Sequence, residues 1–313
     1  MTTLAKNPRS VAPAADKPKP HGSLRRFGDL KIALLFIAPA MIGFIVFYVA
    51  PTIRGVYLSF TEYNILGDPE WVGIENYTAI AKDPLFWNSL AVTGQYVFLN
   101  IVLQTALALG LALLMHQVAK STIIRGALLL PYLMSNVIAA LLWFWMLDYQ
   151  IGVVNQFIEW AGLPRVAFFG SEAWAIPTQA LINTWRHMGY TALLIFAGLQ
   201  AIPGHVYEVA KLDGASAFQT FRKITIPLLR PVLVLVLVVT VIGSFQVFDT
   251  VAVTSAGGPV NATRVIQYYI YQRAFTESDF GYGSAIAVIL FLILALVAFI
   301  QMKFLKGNES DLD

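Results

Sequence analysis

The chain has 313 residues, of which 58% are hydrophobic and 12% are charged, and its mean hydropathy is +0.67. Soluble domains carry about 25% charged residues, so this composition is typical of a polytopic membrane protein. The absence of cysteine excludes disulfides, thiolate nucleophiles and cysteine metal sites, and the net charge of +3 does not indicate a nucleic-acid partner.

Six apolar stretches are long enough to cross a bilayer, which requires about 20 mostly apolar residues. They cover residues 32–53, 90–115, 123–147, 175–201, 228–248 and 281–304. We therefore predict an all-α membrane protein with six transmembrane helices in one domain over residues 32–304. The polar residues 1–31 are expected to form a disordered cytoplasmic tail and not a cleavable signal peptide, and residues 305–313 a second cytoplasmic tail.

The distribution of Lys and Arg predicts the orientation of the spans. Fifteen of the 21 Lys and Arg residues lie in the two tails and in the second and fourth connections, whereas five lie in the other three connections. Cytoplasmic loops carry the excess of positive charge in membrane proteins. Both termini and the fourth connection are therefore expected on the cytoplasmic side.

The fourth connection, residues 204–227, is a polar, helix-prone segment between two apolar spans. Pro203 and Gly204 mark the end of the fourth span, and a helix is expected to restart near His205. Glu208 is expected in the first turn of that helix, where the helix dipole favours a carboxylate. Small residues are expected to keep its surface narrow enough for another backbone to approach, namely Ala210, Ala215 and Ala217.

The second half of this connection predicts a turn and another short helix. Gly214 permits a sharp change of direction. Phe218, Phe221 and Ile224 recur at a spacing that places them on one helical face. Pro227 is expected to end this short helix and to open the fifth span.

Periodicity alone leaves two alternatives for this segment: an amphipathic helix that rests on the lipid surface, or a docking element for another protein. The residues themselves resemble the coupling motif of importer permeases in the ATP-binding-cassette superfamily, E-A-A-x-x-x-G followed after nine residues by I-x-L-P. The matching positions are Glu208, Ala210, Gly214, Ile224 and Pro227. Two positions depart from the motif, because Val209 replaces Ala and Ile226 replaces Leu.

Other stretches extend this resemblance along the chain. Residues 71–77 look like the F-V-G-L-x-N-Y stretch in the first external loop of carbohydrate permeases, and the Gly-Gly-Pro sequence at 257–259 follows the fifth span. Together they resemble the larger permease of maltose and glycerol-phosphate importers. The resemblance implies that this segment, the coupling segment, contacts an ATPase through Glu208, Ala210, Asp213, Gly214, Ala215, Phe221, Ile224 and Pro227.

The resemblance also implies the partners and the energy source. It implies a plasma (inner) membrane permease that pairs with a second permease, two copies of an ATPase subunit and an extracytoplasmic solute-binding protein. A P-loop requires G-x-x-x-x-G-K-[ST], but the only Lys followed by Ser or Thr is Lys120, and Ala119 precedes it. We therefore expect this chain to bind no cofactor, with ATP and magnesium bound by the partner subunits.

Polar residues inside the spans are candidates for the substrate path, because they are costly in lipid. Amides and aromatic rings suit an uncharged sugar, which makes Asn100, Asn136, Gln246 and Phe248 candidate lining residues. The alternative is that each amide satisfies a neighbouring helix by an interhelical hydrogen bond. No catalytic set and no metal site is predicted.

Three functions remain open at this stage. The first is import of a sugar or oligosaccharide, powered by ATP hydrolysis on partner subunits. The second is import of a phosphorylated polyol such as glycerol 3-phosphate, which requires a cationic pocket, and Arg186 is the only cation in the middle of a span. The third is an ion-coupled secondary carrier, for which the neighbours Arg186 and His187 suggest a proton relay.

Overall fold

The protein is described by a computed structural model that covers residues 23–117 and 122–305. The predicted tail residues 1–22 and 306–313, and the Lys120 region, lie outside the described residues. Contacts divide the chain into two units, Met1–Arg54 and Gly55–Asp313. The sites described below lie in the second unit.

Helices account for most of the described residues, as the all-α prediction requires. They are α1 (Ser23–Phe44), α2 (Ala50–Leu58), α3 (Glu75–Lys82), α4 (Pro84–Gln117), α5 (Thr122–Leu133), α6 (Asn136–Met146), α7 (Val153–Trp160), α8 (Glu172–Ala201), α9 (Gly204–Leu212), α10 (Ala217–Thr220), α11 (Ile226–Phe245), α12 (Asp249–Thr254), α13 (Ile266–Tyr271) and α14 (Phe280–Leu305). Three π-helical turns interrupt them at Ile45–Val49, Phe221–Thr225 and Gln272–Thr276. One short antiparallel hairpin joins β1 (Thr61–Glu62) to β2 (Glu70–Trp71).

Four helical stretches in the described residues are each long and apolar enough to cross a membrane: Ile32–Leu58, Pro84–His116, Ala217–Thr254 and Phe280–Lys303. Two bent helix pairs bring the number to six if each pair is one span. The pairs are α5 with α6, bent by 90°, and α8 with α9, bent by 70°. Each of the six predicted stretches overlaps one of these spans or pairs.

The third predicted span, residues 123–147, is a broken helix. Pro131 lies inside α5 and has no N–H, so the helix loses a backbone hydrogen bond near its end. Ser135 then caps α6, because its hydroxyl accepts a hydrogen bond from the Ile138 N–H at 3.4 Å. A Pro followed four residues later by a capping Ser is the sequence signal for this break.

Close approach between helices holds the centre of the second unit together. Helix α4 packs along α8, α11 packs against both of them, and α5 packs against α8. A Cβ placed on Gly189 of α8 would lie 1.8 Å from the Leu128 carbonyl oxygen of α5. A Cβ on Gly198 would lie 2.8 Å from Val232 of α11. Small residues at such contacts are typical of helix packing in membranes, where backbones must come close for van der Waals contact.

A polar cluster joins the connection before α4 to α13 and α14. The Asp83 carboxylate accepts hydrogen bonds from the Tyr269 hydroxyl and, at 2.7 Å, from the Tyr282 hydroxyl. Partial burial acts to raise the pKa of Asp83, but these hydrogen bonds outweigh it and hold that pKa below its usual value. Asp83 therefore stays ionised, and keeps these helices together, at neutral pH.

Candidate functional site

The coupling segment forms two short helices and a π-helical turn between α8 and α11. Helix α9 begins at Gly204, as predicted, with Pro203 as its N-cap. Glu208 lies in the second turn of α9 and not in the first, so its predicted position in the first turn is wrong by about one residue. The 70° bend between α8 and α9 turns the segment away from the axis of the fourth span.

Gly214 makes the turn after α9, as predicted. Its φ of +74° lies in the left-handed region, which favours glycine. The N–H of Ala215 bonds to the Ala210 carbonyl at 3.0 Å, and the Gly214 N–H bonds to the Lys211 carbonyl at 3.1 Å. This pair of bonds is a Schellman motif, which satisfies carbonyls at the end of α9 and fixes the direction of the chain.

The second short helix does not end at Pro227, and that prediction is wrong. Ser216 and Gln219 form a capping box at the start of α10, and the backbone then stays helical through the π-helical turn into α11. The Ile226 N–H bonds to the Phe221 carbonyl, one residue further back than in an α-helix. This wider turn comes just before Pro227, which lies at the start of α11, where a missing N–H is tolerated.

The side chains of the coupling segment divide into two groups. Glu208, Asp213 and Gly214 are exposed, and Ala215, Phe221, Ile224 and Pro227 are half-buried. Ala210 is buried against the chain itself, so it does not contribute to the outer surface as expected. Three large apolar side chains of the same segment are also exposed, namely Val209, Leu212 and Phe218.

A cavity of about 240 Å³ lies between α4, α5, α8 and α11. Six of its non-aromatic lining residues carry uncharged amides or hydroxyls: Asn100, Gln104, Asn183, Thr191, Thr240 and Ser244. Tyr132 and Tyr190 form an aromatic wall, with their rings stacked at 4.5 Å between centroids and inclined by 9°. The sequence reasoning missed both tyrosines, because only the approach of α5 to α8 at Gly189 brings them together.

Asn100 is the centre of a hydrogen-bond network that joins three helices. Its amide nitrogen donates to the Ser244 hydroxyl at 2.8 Å and to Gln104 at 3.2 Å. Its amide oxygen accepts from Asn183 at 2.9 Å and from the Thr184 hydroxyl at 3.3 Å. The four bonds use its two donors and two lone pairs, so Asn100 satisfies neighbouring helices, and its partners present the remaining polar atoms to the cavity.

Replacing Asn100 with Leu is expected to destabilise the fold, because four polar partners lose a bond in a buried site. We expect the free energy of unfolding to fall by about 1–3 kcal/mol. Thermal unfolding of the purified protein measures this loss. Asn88→Leu is the matched control, since the exposed Asn88 amide makes one hydrogen bond, to the Asn261 carbonyl. Equal stability of the two variants would contradict the role of Asn100.

The other three candidate residues lie outside the cavity lining. Asn136 is the first residue of α6, and its amide donates to the Asp249 carboxylate at 2.7 Å. Gln246 is the C-cap of α11. The Phe248 ring packs against Tyr271, with 5.1 Å between centroids. These residues cluster at the end of α11 remote from the coupling segment.

Arg186 lies in the middle of α8 and is directed to the break between α5 and α6. Its guanidinium donates to the Met134 and Tyr132 carbonyls at 2.9 and 3.2 Å. Within residues 23–117 and 122–305, no group of three His, Cys, Asp or Glu side chains is arranged to hold a metal ion.

Comparison with known proteins decides the family. The family model of the binding-protein-dependent transport system inner membrane component matches residues 104–307. The sulfoquinovosyl glycerol transport system permease SmoG of Agrobacterium fabrum is 35% identical over 285 residues, covering 90% of this chain and 92% of SmoG. The chain belongs to this family of transport system membrane components.

Further relatives and solved structures agree with this assignment. The trehalose/maltose transport system permease MalF of Thermococcus litoralis is 31% identical over 280 residues, covering 89% of this chain and 95% of that protein. A permease chain in the crystal structure of a bacterial alginate ABC transporter, in complex with a pentasaccharide-bound periplasmic protein, superposes with a TM-score of 0.80. That match covers 92% of this chain and 99% of the other at 22% identity, and it shows the shared fold.

Family membership confirms the resemblance drawn from the coupling motif. The chain is a multi-pass component of the inner membrane and a transport subunit of an ABC importer. The family match includes the coupling segment, α8 and α11, together with the part of α4 from Gln104 onwards.

Proposed function

We propose that this chain is the permease subunit of an ATP-driven importer for a sugar or oligosaccharide. It pairs with a second permease, two ATPase subunits and an extracytoplasmic solute-binding protein. ATP and magnesium bind to the ATPase subunits, and this chain binds no cofactor. Both termini and the coupling segment face the cytoplasm, as the excess of Lys and Arg on that side indicates.

The observation that carries the proposal is the exposed surface of the coupling segment. Large exposed apolar side chains on a segment that also carries exposed charged residues are expected to be covered by a partner. Leu212 and Phe218 are 86% and 69% exposed, and Glu208 and Asp213 lie beside them. In our proposal the ATPase covers this surface, and its closure on ATP binding pushes the segment against the bundle.

The connection of the coupling segment to the cavity supports this transmission. Helix α8 runs from the cavity to the bend before α9, and α10 continues through the π-helical turn into α11. Because α8 and α11 both line the cavity, a displacement of the segment moves two of its walls.

The chemistry of the cavity suits an uncharged saccharide. Amide and hydroxyl groups hydrogen-bond to sugar hydroxyls, and an aromatic wall packs against the apolar face of a sugar ring. The relatives are named for sulfoquinovosyl glycerol and for trehalose and maltose, which supports a carbohydrate cargo. Arg186, the cation that a phosphorylated polyol would need, is already bonded to two backbone carbonyls and to His187, and no observation favours that alternative.

Transport by proteoliposomes tests the proposal. The chain is reconstituted with its partner permease and ATPase, and a panel of labelled sugars including maltose and trehalose is offered with the binding protein outside. We expect ATP-dependent accumulation of a sugar, with glycerol 3-phosphate giving no competition. Accumulation that is driven by a proton or sodium gradient in vesicles holding this chain alone would support an ion-coupled carrier and contradict the proposal.

A further inference from the structure

Arg186 is an intramembrane cation with an unusual set of partners. Its Nε donates to the Met134 carbonyl at 2.9 Å, and one terminal nitrogen donates to the Tyr132 carbonyl at 3.2 Å. The other terminal nitrogen lies 2.8 Å from His187 Nε2, and His187 Nδ1 lies 3.0 Å from the Asn183 carbonyl. With the Nδ1 proton donated to Asn183, His187 Nε2 is free to accept from Arg186.

The two carbonyls bound by Arg186 lie at the break, one in the last turn of α5 and one just after it. Helix α5 ends at Leu133, and the last carbonyls of a helix have no N–H within it. Hydrocarbon offers no water to satisfy them, so a break inside a membrane needs donors from a neighbouring helix. Arg186 on α8 supplies two such donors from one rigid, planar group.

The other side of the break is held by a second contact. Asn136, the first residue of α6, donates to the Asp249 carboxylate at 2.7 Å. Asp249 begins α12, so this bond ties the start of α6 to α12. Three helices, α6, α8 and α12, therefore meet at this one break.

The break determines the position of one wall of the cavity. Tyr132 lies within the last two residues of α5, and its ring stacks on Tyr190 in the cavity. Arg186 contacts both the carbonyl of Tyr132 and its ring, with 5.4 Å from the guanidinium carbon to the ring centroid. A shift of the α5 end would therefore move the ring out of the stack.

We propose that Arg186 is a positioning residue of the cavity. It holds the third span in its bent form through the Met134 and Tyr132 carbonyls, and thereby keeps Tyr132 stacked on Tyr190. This inference rests on the proposed function in so far as the cavity is the substrate path. The contacts themselves are tested without any transport measurement.

Spin labels on either side of the break test whether Arg186 keeps the third span bent. The absence of native cysteine makes the labelling direct. The exposed positions Ile124 on α5 and Trp145 on α6 are replaced by Cys and labelled in the full chain in nanodiscs. At 1.5 Å per residue they lie about 16 and 15 Å from Ser135, so straightening the bend lengthens their separation from about 22 to about 31 Å. We expect Arg186→Gln to broaden the distance distribution toward the longer value, and Arg186→Lys to restore part of the short distance.

A fluorine label tests whether Arg186 keeps the Tyr132 ring stacked on Tyr190. With 3-fluorotyrosine at position 132, the stacked Tyr190 ring shifts the ¹⁹F resonance, and Tyr190→Leu gives the unstacked reference. We expect Arg186→Gln to move the resonance toward that reference, and Asp249→Asn to move it less. Arg165→Gln is the matched control, because Arg165 also donates to two backbone carbonyls, but it lies in the connection between α7 and α8.

The outcomes separate this inference from the proposed function. An unchanged distance distribution and an unchanged ¹⁹F resonance in Arg186→Gln would overturn the positioning role, whether or not the importer carries sugar. Both changes in Arg186→Gln, with neither in Arg165→Gln, would support it even if the uptake assay failed.

Discussion

Replacing Glu208 with Ala is expected to uncouple the ATPase from transport while the fold stays intact. The Glu208 carboxylate is exposed and makes no hydrogen bond or ion pair within the described part of the chain, so its loss removes no internal contact. In our proposal this carboxylate contacts the ATPase that covers the coupling segment. Truncating one partner of a buried, hydrogen-bonded charge pair in an interface weakens binding by at least about tenfold.

The measurement is ATP hydrolysis by the reconstituted importer, with and without sugar-loaded binding protein. We expect Glu208→Ala to lower the stimulated rate by about tenfold or more and to leave the thermal unfolding temperature of the chain unchanged. Glu172→Ala is the matched control, since Glu172 is also exposed but lies at the other end of α8. A Glu208→Ala importer with native stimulation would show that the segment does not transmit the motion.

Two substitutions at Gly214, measured in the same ATP-hydrolysis assay, test whether coupling depends on the backbone conformation of the turn after α9. Nothing lies within 4 Å of a Cβ at Gly214, so a side chain there meets no internal clash. The φ of +74° disfavours a β-branched residue but is tolerated by Asn. We therefore expect Gly214→Val to lose coupling and Gly214→Asn to keep more of it.

Replacing Gly189 with Ala is expected to destabilise the packing of α5 against α8. The added Cβ would lie 1.8 Å from the Leu128 carbonyl oxygen, a contact that requires backbone movement. Overpacking of this kind costs about 1–3 kcal/mol. Leu128 lies one turn before Tyr132, and Gly189 directly precedes Tyr190, so the same movement separates the stacked tyrosines.

Thermal unfolding and size-exclusion chromatography of the purified importer measure this effect. Gly110→Ala is the matched control, because Gly110 lies within α4 and has nothing within 4 Å of its Cβ position. There the substitution is expected to be neutral or stabilising, since Ala favours helix more than Gly does. If both variants unfold at the native temperature, α5 and α8 do not approach as closely as the structure places them.

The fold was predictable in outline because lipid restricts the backbone conformations that the chain can adopt. Backbone groups in hydrocarbon must bond within the segment, so a long apolar stretch such as residues 281–304 can be assigned as a helix from composition alone. The third span was not predictable in this way. Its residues are mostly apolar, and the 90° bend depends on Pro131, on the cap at Ser135 and on an Arg from a distant part of the chain.

Of the two candidate sites, the sequence predicted the coupling segment but not the cavity. The coupling segment was located and its turn at Gly214 predicted, because a glycine at a helix end acts through its local φ. The cavity was not predicted, since Asn100 was identified as a candidate but neither Tyr132 nor Tyr190 was. Asn136, Gln246 and Phe248 lie at the far end of α11, because sequence position within a span does not reveal which face meets a neighbour.

The sequence by itself determined the membrane class, the overlap of six apolar stretches with the spans, and the helix–turn–helix between the fourth and fifth of them. These properties arise from interactions between residues close in the chain and from the low polarity of lipid. Only the tertiary structure decided which polar groups pair with one another, since Asn100 with Ser244 and Arg186 with Met134 lie 144 and 52 residues apart. Such pairs form when helices pack closely, and close packing depends on the three-dimensional fit of small residues such as Gly189.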